Sequence, residues 1–379
     1  MTIPMRFLGY PEESLNILQE GGRLAKEIKD DKSQIVFYSR LGNYYTIKGG
    51  DPLLGIKYSE ISFRNAVKIK NIELIARTGW DLCASYTISG QPLKSAKIAQ
   101  KVIVLLEKTK KEREFYGTGV NLHSVLNAYC GFNMALLGNF EEGKSLLDKS
   151  IRFASKINDK TSLGVIEYLI HLFYFAKGDG GKAIEHSQNA IRYLEEVKWT
   201  TILNLLWSCL GQGYYLLGEL EDAKKYIEQG IELQGDTKTF WCCTHFLALS
   251  MVHHDAGDPK NAQDCIQKAL RQAQDSSEKH WEGYARIWLG RILGKKNPSQ
   301  SNKDKEYILQ GIQVCDELRI RPFSAQGHLF LGELYANRGQ AKKALEHLKK
   351  AEVMLQEMGM DYWLAETRKV LGKVEEPTL

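Results

Sequence analysis

Apolar residues recur along this chain at the three- and four-residue spacing of amphipathic helices, and those helices fall into pairs separated by glycine-marked turns. From Trp207 the sequence reads WSCLGQGYYLLGELEDAKKYIEQGIEL. Trp207, Leu210, Gly211 and Tyr214 mark a first helix, Gly218 marks its end, and Ala223 and Ile227 mark a second helix. LGELYANRGQAKKALEHLKKA sets Leu331, Gly332, Tyr335, Gly339, Ala344, Leu348 and Ala351 at the same offsets, and another copy begins with Leu41, Gly42, Tyr45 and Gly49. With the small-residue slot of the first helix as ruler, copies register at Gly42, Cys83, Gly131, His171, Gly211, Ser250, Gly290 and Gly332. The successive spacings are 41, 48, 40, 40, 39, 40 and 42, and the 48 places an insertion near Lys108 to Gly119.

A helical hairpin cannot bury its apolar stripe alone, so such units must stack, and close stacking demands small residues where backbones meet. Gly42, Gly131, Gly211, Gly290 and Gly332 meet that demand in the first helix, with Ala183, Ala223, Ala262 and Ala344 in the second. A further series, Gly90, Gly138, Gly178, Gly218, Gly257 and Gly339, suits left-handed helix ends. Prolines occupy turns, as in Gly257-Asp258-Pro259 and Asn297-Pro298. Residues 1–30 are expected to hold a partial unit: GYPEESLNILQEGGRLAKEIKD, Gly9 to Asp30, reads as a turn and a second helix. The chain then begins mid-unit, as a piece of something larger would. Eight repeats of about 40 residues fill 31–360, and 361–379 form a capping helix, with Asp361 as N-cap and Trp363, Leu364, Val370 and Leu371 on its apolar face, followed by a frayed EEPTL. The fold class expected is all-α, a right-handed superhelix of about eight and a half hairpins.

The W-x2-L-G-x2-Y spacing followed by A-x3-hydrophobe resembles the tetratricopeptide repeat, and the resemblance covers the whole chain. The C-terminal stretch ILQGIQVCDELRIRPFSAQGHLFLGELYANRGQAKKALEHLKKAEVMLQEMGMDYWLAETRKVL resembles the terminal repeats of large bacterial adenylate/guanylate cyclases that also carry an ATPase region. FLGYPEESLNILQEG is similar to repeat segments of the same family. That resemblance implies a regulatory repeat region working with cyclase and ATPase domains in cis, and transfers no catalytic residue. The subgroup that clamps carboxylates with Lys and Asn on successive first helices is not matched, because Ser39 stands in the Lys slot beside Asn43.

Composition changes this picture little. The 379 residues carry 51 Lys and Arg against 46 Asp and Glu, a net charge of +5, with 43% hydrophobic residues, which excludes wholesale disorder. The excess charge lies in the first 120 residues, 19 against 13, and its densest run, Lys108, Lys110, Lys111 and Arg113, is broken by Glu112 and Glu114. This reads as a solvated helix end and implies no nucleic-acid partner. Apolar runs such as LIHLFYFA, Leu169 to Ala176, fall short of the ~20 residues that cross a bilayer, and MTIPMRFLGY lacks a secretory signal's apolar stretch, so no membrane route is readable. Seven cysteines without a CxxC pair point to reduced thiols and, by default, the cytoplasm.

Candidate chemistry is sparse. Gly138 to Ser145, GNFEEGKS, satisfies the phosphate-loop pattern GxxxxGK[ST], yet it follows a helix rather than a strand, and Glu141 and Glu142 would face the phosphates. Its glycines coincide with repeat slots. Cys242, Cys243, His245, His253 and His254 form a cluster that lacks the second ligand pair of a structural zinc site, and packing accounts for it. No cofactor, metal or catalytic residue is expected. What remains is the concave face. Positions one and four after the small slot and three before it select Asn43, Trp80, Phe132, Tyr168, Phe175, Gln212, Tyr215, Met251, His254 and Arg291, a set rich in rings and Met that suits a protein or peptide segment, with packing between helices as the bland alternative for each. The expectation is a non-enzymatic interaction or regulatory module. The alternatives are a nucleotide or metal sensor using Gly138–Ser145 or the Cys242–His254 cluster, and a peptide-sensing transcriptional regulator, for which no helix-turn-helix segment is visible.

Overall fold

The computed structural model describes residues 9–48, 50–235, 239–296 and 302–375. Gly49, the Asn297-Pro298 turn and Glu376 to Leu379 lie outside these. The described residues form eighteen α-helices and no strand. A single helix, α1 (Ser14–Glu27), precedes eight hairpins. The first four are α2 (Asp31–Ile47) with α3 (Pro52–Lys68), α4 (Ile72–Ile88) with α5 (Pro92–Lys108), α6 (Leu122–Leu136) with α7 (Phe140–Lys156), and α8 (Lys160–Lys177) with α9 (Gly180–Glu196). The next four are α10 (Leu203–Leu216) with α11 (Leu220–Gln234), α12 (Cys243–Asp255) with α13 (Pro259–Asp275), α14 (Lys279–Lys296) with α15 (Lys303–Glu317), and α16 (Arg321–Asn337) with α17 (Ala341–Met358). The chain's last helix, α18 (Asp361–Glu375), stands where the first helix of a ninth hairpin would.

Local chemistry sets these boundaries. Asp30, Asp51, Asn71, Asn121, Asp159, Asp179 and Asp258 each accept a hydrogen bond from a backbone N–H of the helix they precede, as N-caps do. Pro52, Pro92 and Pro259 open their helices, where a missing N–H costs nothing. Asp361 is the first residue of α18 rather than its cap. The long 48-residue spacing falls where expected, as the connection between α5 and α6. Within a hairpin the small slots touch. A methyl group on Gly131 would lie 2.6 Å from the carbonyl oxygen of Gly143, and one on Gly143 would lie 2.6 Å from that of Gly131.

Each first helix also packs on the first helix of the next hairpin, and a longer-range contact repeats with a period of five hairpins. The backbone N–H of Phe240, leading into hairpin six, donates to the Ile47 carbonyl of hairpin one at 3.1 Å. Gly90 in hairpin two abuts His280 in hairpin seven, Gly138 in hairpin three abuts Arg321 in hairpin eight, and Gly178 in hairpin four abuts Tyr362 of α18. Gly9, before α1, likewise abuts Thr201 at the start of hairpin five. The superhelix therefore completes a turn in about five hairpins, and its second turn rests on its first, with α16 packed against α8. By contrast, Gly218, Gly257 and Gly339 in hairpins five, six and eight meet no atom within 4 Å in the direction a side chain would take. Those turns form an uncovered rim.

Candidate functional site

Because the turns touch, the concave face is largely filled. Asn43, Trp80, Phe132, Tyr168, Phe175, Gln212, Tyr215, Met251 and His254 are all buried, and Arg291 is partly buried. Asn43 is engaged internally: it accepts from the Tyr10 hydroxyl and donates to Asp81 at 3.4 Å, in a network with Ser39 and Arg40. Phe175 stacks on His171, whose imidazole burial lowers to about pKa 4. Phe132, Gln212 and Met251 line neither of the two concave cavities described below. Two pairs of the ten do reach cavities: Trp80 with Tyr168, and His254 with Arg291.

The first cavity is a chamber between the two superhelical turns. It is partly open to solvent. One wall comes from first helices: Trp80, Ala84 and Ile88 on α4, Tyr129 on α6, and Val165 and Tyr168 on α8. The opposite wall comes from connections of the second turn, Trp199 to Ile202 and Thr239 to Trp241, with Lys48 also lining it. The Trp241 ring lies 6.4 Å from Tyr168 and begins an aromatic series that runs through Trp281, Phe323, Tyr284, Trp288 and Phe330 to Trp363.

Most polar groups of the chamber are satisfied within the protein. Trp241 Nε1 donates to the Ile88 carbonyl at 3.1 Å, Trp199 Nε1 donates to Thr201 Oγ1 at 2.6 Å, and Thr87 Oγ1 pairs with Ser95 at 2.9 Å while accepting from Asn133 at 2.8 Å. The Tyr168 hydroxyl makes no hydrogen bond among the described residues, and burial holds its pKa well above the usual range, so it stays a neutral donor. The chamber thus presents mainly ring faces and aliphatic edges, with the Tyr168 hydroxyl and Lys48 among its polar groups.

Beneath the Trp241 segment, the buried Glu278 carboxyl accepts from the Trp241 backbone N–H at 2.6 Å and from the Cys243 thiol at 3.2 Å. Desolvation raises its pKa to about 8. Cys242 instead contacts Thr239, and His245 Nδ1 pairs with Ser208, so the cysteine and histidine side chains point to separate partners. No group of three or more possible metal ligands occurs among the described residues. The phosphate-loop match is likewise absorbed by the repeat. Gly138 is a left-handed helix end with φ +90°, Gly143 packs on Gly131, and Lys144 pairs with Asp148 at 2.7 Å, all after a helix.

A family model described as the MalT-like TPR region matches residues 164–371, more than half of the chain. Among solved structures, a Rap protein complexed with competence and sporulation factor is 14% identical over 79% of this chain and 85% of that one, with a TM-score of 0.56. A signal transduction ATPase of the STAND class with a tetratricopeptide repeat sensor, from Pyrococcus horikoshii, is 15% identical over 95% of this chain but 55% of its own, with a TM-score of 0.46. The Rap conjugation gene regulator of plasmid pLS20, in complex with the Phr* peptide, is 13% identical over 94% and 79%, with a TM-score of 0.45. At these identities the likeness is one of fold. No curated protein sequence matches the chain. None of the helices among the described residues is long and apolar enough to cross a membrane.

Proposed function

Since the chain belongs to the MalT-like TPR family, we propose that it is a recognition module without catalytic machinery, and that the chamber between its turns receives a bulky apolar side chain of a protein or peptide segment. The observation that carries this reading is the chamber itself: a partly open, aromatic-walled cavity in which the Trp199 and Trp241 indole N–H groups are satisfied internally. Such a surface gains from excluding water against a ring or branched side chain and offers little to a sugar or nucleotide. The Rap protein of similar fold is complexed with a competence and sporulation factor, which supports a partner-holding role for a superhelix of this kind. The seven cysteines are all free thiols, in keeping with residence in a reducing cytoplasm. The similarity of the C-terminal repeats to those of cyclases supports the same module acting on cyclase and ATPase domains joined to it.

The test is affinity for peptides carrying an aromatic or branched residue, read from tryptophan fluorescence, since Trp80, Trp199 and Trp241 line the chamber. Trp80→Ala and the chamber-filling Ala84→Phe should each weaken binding by roughly tenfold or more, while Leu217→Ala, on the exposed rim, should not. Unchanged affinity in both chamber variants, with helicity intact by circular dichroism, would place recognition elsewhere.

A further inference from the structure

The second cavity lies on the uncovered rim, between the C-terminal halves of α12, α14 and α16. Its centre is Arg291. The guanidinium lies beside two rings that meet edge to face, its central carbon 4.0 Å from the Phe330 centroid and 4.9 Å from that of Trp288. Nε donates to Glu333 Oε2 at 3.1 Å. The two ring contacts and the Glu333 bond together restrain the group. Nη1 and Nη2 are left without a hydrogen-bond partner among the described residues.

Around this fork the cavity is built of charge. Among the described residues, exposed Lys295 reaches the His254 carbonyl alone, at 3.4 Å. Asp255 Oδ2 accepts from the Tyr215 hydroxyl at 2.8 Å. The His254 side chain is only 6% exposed, makes no hydrogen bond among the described residues, and is 4.0 Å from Asp255. Burial, reinforced by Arg291 and Lys295, lowers it to about pKa 3, so the ring is neutral. Glu333 shares the charge of Arg291 through Nε, but the two terminal nitrogens stay available.

A planar guanidinium held against two rings, with both terminal nitrogens free, can grip a carboxylate through two parallel hydrogen bonds. A purely structural arginine, cementing α14 to α16, would have no use for an open fork facing a cavity. Building on the recognition reading above, we propose that this rim cavity is a carboxylate receptor, in which Arg291 holds the C-terminal carboxylate or an acidic side chain of the bound segment, with Lys295 at the edge.

The experiment uses the full chain, immobilised, and a library of N-acetylated hexapeptides made twice, once with free C-terminal carboxylates and once as C-terminal amides, with retention read by mass spectrometry. If the receptor takes the chain end, free carboxylates are enriched roughly tenfold or more over amides. If it takes a side chain, amides bearing Asp or Glu are enriched over their Asn and Gln counterparts by a similar factor. Arg291→Lys keeps the charge but removes the fork and should abolish either preference, whereas Glu333→Gln, which spares the fork, should retain it. Peptides retained with no carboxylate preference, or a preference that survives Arg291→Lys, overturn the receptor and leave the recognition reading standing. Retention of no peptide by the unaltered chain overturns both.

Discussion

Glu278 ties the chemistry of one side chain to the closure of the molecule, because its carboxyl holds the Trp241 backbone that forms a chamber wall. Its pKa is raised from the ordinary carboxylate range to about 8. In an unfolded chain the group ionises near 4.5, so between those values the unfolded state releases a proton that the native state keeps. The stabilisation is full below about pH 4.5 and is lost as pH rises through 8. The buried imidazoles His171, His254 and His280, lowered to about 4, 3 and 3 by desolvation, work in the opposite direction. They favour the native state above about pH 6.5, and that contribution is lost as pH falls towards their native values. Glu278→Gln keeps an acceptor for the Trp241 N–H without an ionisable group, so its melting temperature relative to the unaltered chain should be higher at pH 8 than at pH 5. A flat difference across that range would mean that Glu278 is already ionised in place. At this scale the sequence was only partly readable. Helical spacing led to Trp80, Tyr168, His254 and Arg291, which line cavities, but it had no means of finding Trp199, Phe240 or Trp241, which lie in connections and reach the chamber only through the coiling of distant hairpins.

Among the helices and turns, glycines with the same backbone conformation divide into two kinds. Gly178 and Gly218 both end a first helix in the left-handed region, at φ +88° and +79°. A methyl group at Gly178 would approach Tyr362 Cβ to 2.8 Å, while at Gly218 it would meet nothing within 4 Å. Gly218→Ala should therefore cost about 1 kcal/mol, the penalty of the left-handed conformation alone. Gly178→Ala should cost roughly 1–3 kcal/mol more, because overpacking is added, and chemical denaturation of the two variants checks the difference. Equal losses would show that the turns do not bear on one another in solution. The hairpins and their glycine-ended first helices were legible because each position leaves its mark in residue type. Most turns that leave the second helices were not, since they place Lys29, Lys70, Lys110, Asn158, Lys198, Ser277 and Arg319 at positive φ without a glycine to signal it, and only Gly235 and Gly359 mark such an end. The coiling also leaves a mark in the sequence. Nine residues before the small slot stand Trp241, Trp281, Phe323 and, before Gly372, Trp363, whereas hairpins one to four have Ser33, Leu74, Leu122 and Ser162 there. Rings occupy that position in hairpins six to eight and in α18, whose leading ends face the earlier turn, while hairpin five has Ile202 there.

For the molecule as a whole, the 40-residue period determines how one hairpin is built but not the small rotation between neighbours, and it is the sum of those rotations that decides whether a groove stays open or closes. This is why an open concave face was expected and a filled one is observed. Trp241, whose Nε1 bonds to Ile88 and whose ring meets Tyr168, His280 and Trp281, is the densest link between the turns. Trp241→Ala should lengthen the particle along its axis, seen as a larger radius of gyration in small-angle X-ray scattering, with helical content preserved. An unchanged radius would assign closure to the remaining contacts. Solenoids whose units touch only their neighbours come apart gradually from the ends inward. Here the hydrogen bond from Phe240 to Ile47 ties residues nearly two hundred positions apart, so losing a terminal hairpin also removes support from the middle. Like a spring wound until its coils meet, the chain is expected to resist small loads as a rod and to yield cooperatively when the coils part.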